Sequence, residues 1–216
     1  MKSAPREDTS EDDDALMIRL QGGDARAFDA LFERYQSALW AYFFRNTRDS
    51  QLAEDLAQDT FLKLYNRFWD YLPSGRFKGW LFRIVHNLLI DDVRRKSHDA
   101  LLHASKRRTS EDDDLMQRIA DDLLPPETTV EQQEISQLIE GLLDEIPADQ
   151  RETFTMHHFS ELSLPDIADA MDVPLATCKS RLRLAREKLS EKLTLRGLAP
   201  ATPSGSRKAV PVSDDE

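Results

Sequence analysis

The chain has 216 residues, enough for one or two domains, and a net charge of −11 that would oppose a nucleic-acid partner if it were spread evenly. Its single cysteine excludes a disulfide framework and a cysteine-based zinc site. Scarce glycine, no sustained apolar–polar alternation, no apolar run near the length of a membrane span and an N-terminus too acidic for a signal peptide together predict a soluble, cytoplasmic, all-α protein.

Residues 1–14 are acidic, polar and aperiodic, and disorder is expected there. A first helix is predicted over Ala15–Gln21, ended by Gly22-Gly23. Asp24 then caps a longer helix in which Phe28, Leu31, Phe32, Tyr35, Leu39, Tyr42 and Phe43 recur at helical spacing. Aromatics at that density are core and imply no cofactor. Asp49 or Ser50 starts a third helix, with Leu52, Ala53, Leu56, Thr60, Phe61 and Leu64 facing inward and Glu54, Asp55, Gln58 and Asp59 on other faces. Taken alone, such an acidic face is only solvated.

Pro73-Ser74-Gly75 makes a turn into Arg76–Lys96, one of two basic concentrations. Arg76, Lys78 and Arg83 supply charge, and Phe77 and Trp80 supply flat faces. A basic track with stacking rings holds unpaired nucleic-acid strands, at about 1–3 kcal/mol per stacked base. The competing assignment places Phe77, Trp80, Leu81, Ile84, Val85 and Leu88 in the core; for Trp80, Leu81 and Ile84, which share a helical face, core is favoured. His86 and Asn87 are the better polar candidates for a base or phosphate, and Arg94, Arg95 and Lys96 for backbone. Asp91 and Asp92 are expected to hold Arg94 or Arg95 through helical-neighbour pairs.

Residues 99–130, with Lys106-Arg107-Arg108, an acidic block and Pro125-Pro126, read as a solvated linker that could carry a short helix at Leu115–Leu124. A second domain follows over 131–197. Ile135, Leu138, Ile139, Leu142, Leu143 and Ile146 form one apolar stripe, and Pro147 closes that helix and opens the next. His157-His158 is not a metal pair: adjacent residues do not share a helical face. Ser163 and Asp166 make a capping box with Pro165 in the first turn; Ile167, Ala168 and Met171 give that short helix its apolar face. Asp172-Val173 makes the break, and Pro174 opens a helix whose stripe is Leu175, Cys178, Leu182, Ala185 and Leu189. Its other sides carry Thr177, Lys179, Ser180, Arg181, Arg183, Arg186 and Lys188. Residues 163–189 therefore match a helix-turn-helix whose second helix enters a major groove, against the plainer alternative of a solvated amphipathic helix in a bundle. Residues 198–216 read as a disordered tail.

Longer stretches carry a resemblance. Glu54-Asp55-Leu56-Ala57-Gln58-Asp59-Thr60-Phe61 resembles the polymerase-binding helix of bacterial sigma factors. The likeness continues at Phe77-Lys78-Gly79-Trp80-Leu81-Phe82-Arg83-Ile84-Val85-His86-Asn87 and at Asp91-Asp92-Val93-Arg94-Arg95. It is similar to region 2 of the small extracytoplasmic-function class, and the helix-turn-helix is similar to that class's region 4. The resemblance implies two small helical domains, region 2 over 15–98 and region 4 over 131–197, joined by a flexible linker that threads through polymerase. It implies core-polymerase binding at Asp55, Gln58 and Asp59. It implies −10 promoter contacts at Arg76, Lys78, Arg83, His86, Asn87, Arg94 and Arg95, with a base flipped beside the Arg76–Gly79 loop. It implies −35 contacts at Thr177, Lys179, Ser180, Arg183 and Arg186; Leu184, where the class commonly has Arg, puts any carried-over −35 sequence in doubt. No bond is broken in such work, so no catalytic residue, metal or cofactor is called for. The implied partners are core RNA polymerase, promoter DNA and an anti-sigma factor, the protein being cytoplasmic and nucleoid-associated when bound to polymerase. A stand-alone helix-turn-helix regulator with a sensing or dimerising N-terminal domain, and an adaptor that never touches DNA, remain alternatives.

Overall fold

The computed structural model describes residues 11–102 and 140–196. The expected N-terminal and C-terminal tails, the short helix at Leu115–Leu124 and the first part of the Ile135–Ile146 stripe fall outside those residues, apart from a few positions. The order is α1 (Asp13–Gln21), α2 (Ala25–Thr47), α3 (Ser50–Arg67), a 3-10 turn (Phe68–Asp70), α4 (Phe77–Leu102), a helical turn at 140–143, α5 (Ala148–His158), α6 (Leu164–Ala170) and α7 (Leu175–Leu195). α1 starts at Asp13, two residues before the expected start, with Asp13 and Asp14 favourably placed in its first turn. α4 runs past the expected boundary at residue 98.

The caps follow the sequence. Asp24 accepts from the Arg26 N–H and Asp49 from the Leu52 N–H, each at 3.0 Å. Gly23 has φ 90°, a conformation that ends α1 and that other residues adopt only under strain. Ser163 accepts from the Asp166 N–H at 3.3 Å, one half of the capping box. Between α6 and α7 the chain turns at Asp172, φ 51°, where an aspartate tolerates the left-handed region better than a branched residue would.

α1–α4 pack around Leu16, Leu31, Leu39, Phe43, Leu64 and Phe82, all buried. Each such side chain contributes about 1.5–3 kcal/mol relative to exposure. A smaller cluster, Leu142, Leu143, Ile146, Ala185 and Leu189, holds α7 to the residues before α5. The two helical groups are not independent. Met156, Leu162, Ile167, Ala168, Met171 and Cys178 belong to the same continuous apolar cluster as α1–α4. α6 lies against α4, and α5 against α2.

Polar groups seal this junction. Glu152 of α5 is only 4% exposed, and one carboxylate oxygen accepts from the Tyr42 hydroxyl at 2.7 Å and meets His86 Nδ1 at 2.7 Å. Burial, and then the Glu152 charge, push the Tyr42 phenol well above its ordinary pKa. Asn46 Nδ2 donates to the Thr155 hydroxyl at 3.2 Å. Arg45 lies 4.1 Å over the Phe159 ring and pairs with Glu140 at 3.2 Å, while Arg48 Nε donates to Asp144 at 2.8 Å.

Candidate polymerase and nucleic-acid surfaces

Three surfaces collect the site residues expected from sequence. On α3, Asp55, Gln58 and Asp59 are all exposed, because the buried stripe of Ala53, Leu56, Ala57, Thr60, Phe61 and Leu64 turns them outward. Beside them is a groove of about 270 Å³ between α2 and α3, floored by Phe32, Trp40, Ala57 and Phe61 and edged by Glu54 and Gln58. Phe32 and Phe61 lie 4.6 Å apart by ring centroids, and Trp40 stacks on Phe44 at 5.1 Å. Phe32, expected in the core, is exposed at the rim. The sequence names only the acidic side of this groove. The periodicity of α2 marks its aromatics as apolar and does not say which of them α3 leaves open.

The second surface is the loop entering α4. Tyr71 is buried, and its hydroxyl and the Gly75 N–H both donate to Asp14 of α1, pinning the loop. Gly75 has φ 71°, so a side chain there would be strained. The loop borders an open cleft of about 290 Å³ with Asp70, Tyr71, Leu72, Arg76, Trp80 and Arg83 on one side and Asp166 and Asp169 of α6 on the other. Arg83 is exposed at its edge and Asn87 is exposed one turn further on. Phe77 is only 2% exposed, and Trp80 is half-buried against Phe77 and Tyr71 at 6.0 and 5.2 Å. Phe77 is therefore core rather than a stacking face for a strand. It serves the loop as the wedge under Tyr71.

The charged residues of this loop are spoken for within the chain. Arg76 Nε and Nη2 donate to Asp166 Oδ1 at 2.9 and 2.7 Å, and Nη2 also donates to Asp169 at 2.7 Å. These carboxylates raise the Arg76 pKa. Burial pushes Asp166 up, but bonds from Ser163 and Arg76 outweigh it and hold the carboxyl below its usual range. Lys78 reaches Glu161 at 3.9 Å. His86 points at Glu152 and not to solvent, so in this arrangement it has no access to a strand. Further along α4, Arg94 is exposed, and Arg95 and Lys96 clasp Asp92, which is 3% exposed, at 2.9 and 3.2 Å. The clasp matches the expected role of Asp92; Asp91 is exposed.

The third surface is α7. Cys178, Leu182, Ala185 and Leu189 are buried as the stripe required. Burial raises the Cys178 thiol pKa, which keeps it protonated. Leu175 departs from the stripe: at 38% exposed it sits at the helix start, beyond the reach of the packed face. Lys179, Ser180, Arg183 and Arg186 are exposed, and Thr177 and Leu184 are half-buried. Among the described residues Arg183 pairs with its helical neighbour Glu187, at 2.5 Å, a solvent-exposed bond that yields readily to a phosphate. Arg181 is drawn back to Asp149 at 3.0 Å. Arg186 donates to His158 Nε2 at 3.1–3.2 Å. Burial, and then the Arg186 charge, lower the His158 pKa. Among the described residues no group of His, Cys, Asp and Glu has the makings of a metal site, and no helix is long and apolar enough to cross a membrane.

Comparison with known proteins adds a name to this layout. The Sigma-70 region 2 family model matches residues 31–98, and the Sigma-70 region 4 model matches residues 136–189. The RNA polymerase sigma-H factor of Pseudomonas aeruginosa is 32% identical over 188 residues, covering 86% of this chain and 95% of that one. The ECF RNA polymerase sigma factor SigW of Bacillus subtilis is 30% identical over 175 residues, covering 81% and 93%. In fold, the chain is similar to the sigma factor RpoE in its complex with the anti-sigma factor NepR from Bartonella quintana (TM-score 0.62, 24% identity, 78% of this chain and 97% of that one). It is also similar to CnrH in its complex with the cytosolic domain of CnrY (TM-score 0.58, 22% identity, 86% and 99%).

Proposed function

Because the chain belongs to the extracytoplasmic-function class of the sigma-70 family, we propose that its three surfaces divide the work of promoter recognition as follows. Core RNA polymerase docks on the rim formed by Asp55, Gln58 and Asp59 and on the aromatic groove beside it. Thr177, Lys179, Ser180, Arg183 and Arg186 of α7 read the −35 duplex, the arginines and lysine through guanine edges and phosphates and the hydroxyls through phosphate or base edges. Arg76, Lys78, Arg83, Asn87, Arg94 and Arg95 receive the −10 element, while His86, turned onto Glu152, supports the helix from inside. Arg94 and Arg95 lie along the upstream duplex backbone. The cavity beside Arg76 takes a base turned out of the stack, at a cost of a few kcal/mol offset by pocket contacts. This work needs positive charge, shape and stacking, and no nucleophile or proton-transfer group. An anti-sigma factor is the expected restraint, and the protein acts in the cytoplasm, on the nucleoid when polymerase carries it.

One observation supports this division: α7 presents exposed Lys179, Arg183 and Arg186, α4 presents exposed Arg83, Arg94 and Arg95 beside a cleft of about 290 Å³, and a separate acidic and aromatic groove lies between α2 and α3. Run-off transcription with purified core enzyme and a genomic promoter pool tests it. New initiation sites that depend on the added protein are expected, and should vanish in the Asp55→Ala, Gln58→Ala, Asp59→Ala triple variant with helicity unchanged. Initiation no different from core enzyme alone would overturn it.

A further inference from the structure

The loop between the 3-10 turn and α4 hangs from two fastenings, and α1 supplies both. At its near end, Gln21 Nε2 donates to the Phe68 carbonyl at 2.7 Å and to the Tyr71 carbonyl at 2.8 Å. At its far end, Asp14 accepts from the Tyr71 hydroxyl and, at 2.5 Å, from the Gly75 N–H. Asp14 and Gln21 lie two helical turns apart, so they share one face of α1. Tyr71 is thereby gripped at its backbone and at the tip of its ring. Burial, and then the bond to Asp14, push its phenol above the ordinary range, so it stays a donor. Between the fastenings Leu72, Pro73 and Ser74 are exposed. The Tyr71 ring lies 5.7 Å from Phe77 and 5.2 Å from Trp80, and Tyr71, Leu72 and Trp80 line the cleft beside Arg76.

α1 is seated independently of these bonds. Leu16, Met17 and Leu20 are buried, and Asp13 takes the Tyr35 hydroxyl and Arg34 of α2. Neither Asp14 nor Gln21 lines the cleft, yet the wall they hold does. A loop already fixed in one shape avoids the ordering cost when a base enters. We infer that Asp14 and Gln21 are positioning residues: through Tyr71 and Gly75 they hold the loop in the shape that accepts an unpaired −10 base, and α1 thereby serves strand capture without touching DNA. This rests on the assignment of the cleft to the −10 element, and adds to it the residues that set the cleft's shape and hence its choice of base.

The test uses holoenzyme assembled from core polymerase and the full chain. Its template is a promoter from the run-off pool with 2-aminopurine in the −10 non-template strand, a probe that brightens when its base leaves the stack. Asp14→Ala and Gln21→Ala should each slow opening about tenfold or more. Asp14→Asn, which keeps an acceptor for the Gly75 N–H, should recover part of the loss. Binding to core enzyme and to a −35 duplex should stay within about twofold of wild type. Selection from a randomised −10 library should lose base preference at the −10 positions alone. The control is Asp13→Ala, which frees Tyr35 and Arg34 from the same helix and leaves the loop bonds in place; it should open the promoter as wild type does. Circular dichroism and thermal melting check the fold. Where Asp14→Ala does not fold, Tyr71→Phe removes the hydroxyl alone and should slow opening in the same sense. Variants that open at the wild-type rate with unchanged base preference overturn the inference. So does an equal loss in Asp13→Ala, which would make α1 a general support. If wild-type holoenzyme starts no transcript, the functional assignment falls and the positioning role with it. If it initiates and the α1 variants match it, only the positioning role falls.

Discussion

α7 and the α4 loop carry the same kind of chemistry and meet solvent differently. On α7, Lys179, Ser180, Arg183 and Arg186 are exposed, and their partners are a helical neighbour and a histidine at the surface. At the α4 loop, Arg76 is held by two carboxylates from sequence positions about ninety residues away, and His86 is turned inward onto Glu152. One basic surface stands ready while the other is covered. A count of cations in the sequence ranks the two alike; what differs is which acids the tertiary fold brings to them.

The largest effect that would probe this contrast comes from the shared core. Phe82→Ala empties a fully buried site against Tyr42 and should cost about 3–5 kcal/mol in chemical denaturation. If the two halves share one core, spectroscopic probes in α2 and α7 should lose structure together; separate transitions would break the comparison. Next in size, Arg183→Ala should weaken binding of the holoenzyme to a −35 duplex by about 1–3 kcal/mol if the residue reads a base, with a loss confined to certain sequences. A uniform loss with a shallower salt dependence would reassign Arg183 to phosphate. Tyr42→Phe leaves the Glu152 carboxylate short of a donor and should cost about 1–3 kcal/mol, measured by the same denaturation. Ser163→Ala removes the cap of α6 and should cost about 0.5–2 kcal/mol, loosening first the wall that α6 gives the cleft beside Arg76.

The smallest effect is pH-dependent and belongs to α7. The folded pKa of His158 lies below the ordinary value of 6.5, so below that pH the unfolded chain binds the proton more readily than the folded one. Stability should therefore decline as pH falls through the ordinary value of 6.5, and His158→Gln should flatten that decline in denaturation midpoints. An unchanged slope would remove His158 as the cause.

Much of the architecture is legible in the chain because it is local. Asp24, Asp49 and Ser163 announce helix starts, Asp172 marks the turn before α7, and the stripe of Cys178, Leu182, Ala185 and Leu189 places the exposed cations of that helix. The exposure of Asp55, Gln58 and Asp59 follows in the same way from the buried residues beside them. Periodicity leaves Phe77 open between a stacking face and the core and places Phe32 in the core, where the fold leaves it exposed, because a ring at the rim of a helix pair is buried or exposed according to where its neighbours end. Glu152 carries no signal at all in sequence, since a lone acid in a polar helix is ordinarily solvated, and only partners 110 and 66 residues away make it a buried junction.

Sequence alone determined the helices, their caps, the two basic segments and the family they belong to, because each rests on spacing within a few turns of chain. Tertiary structure alone decided that the halves close on each other and that Asp166 and Asp169 hold Arg76. Such pairings form between side chains with no local relation, once burial of a common apolar core has brought two distant surfaces into contact.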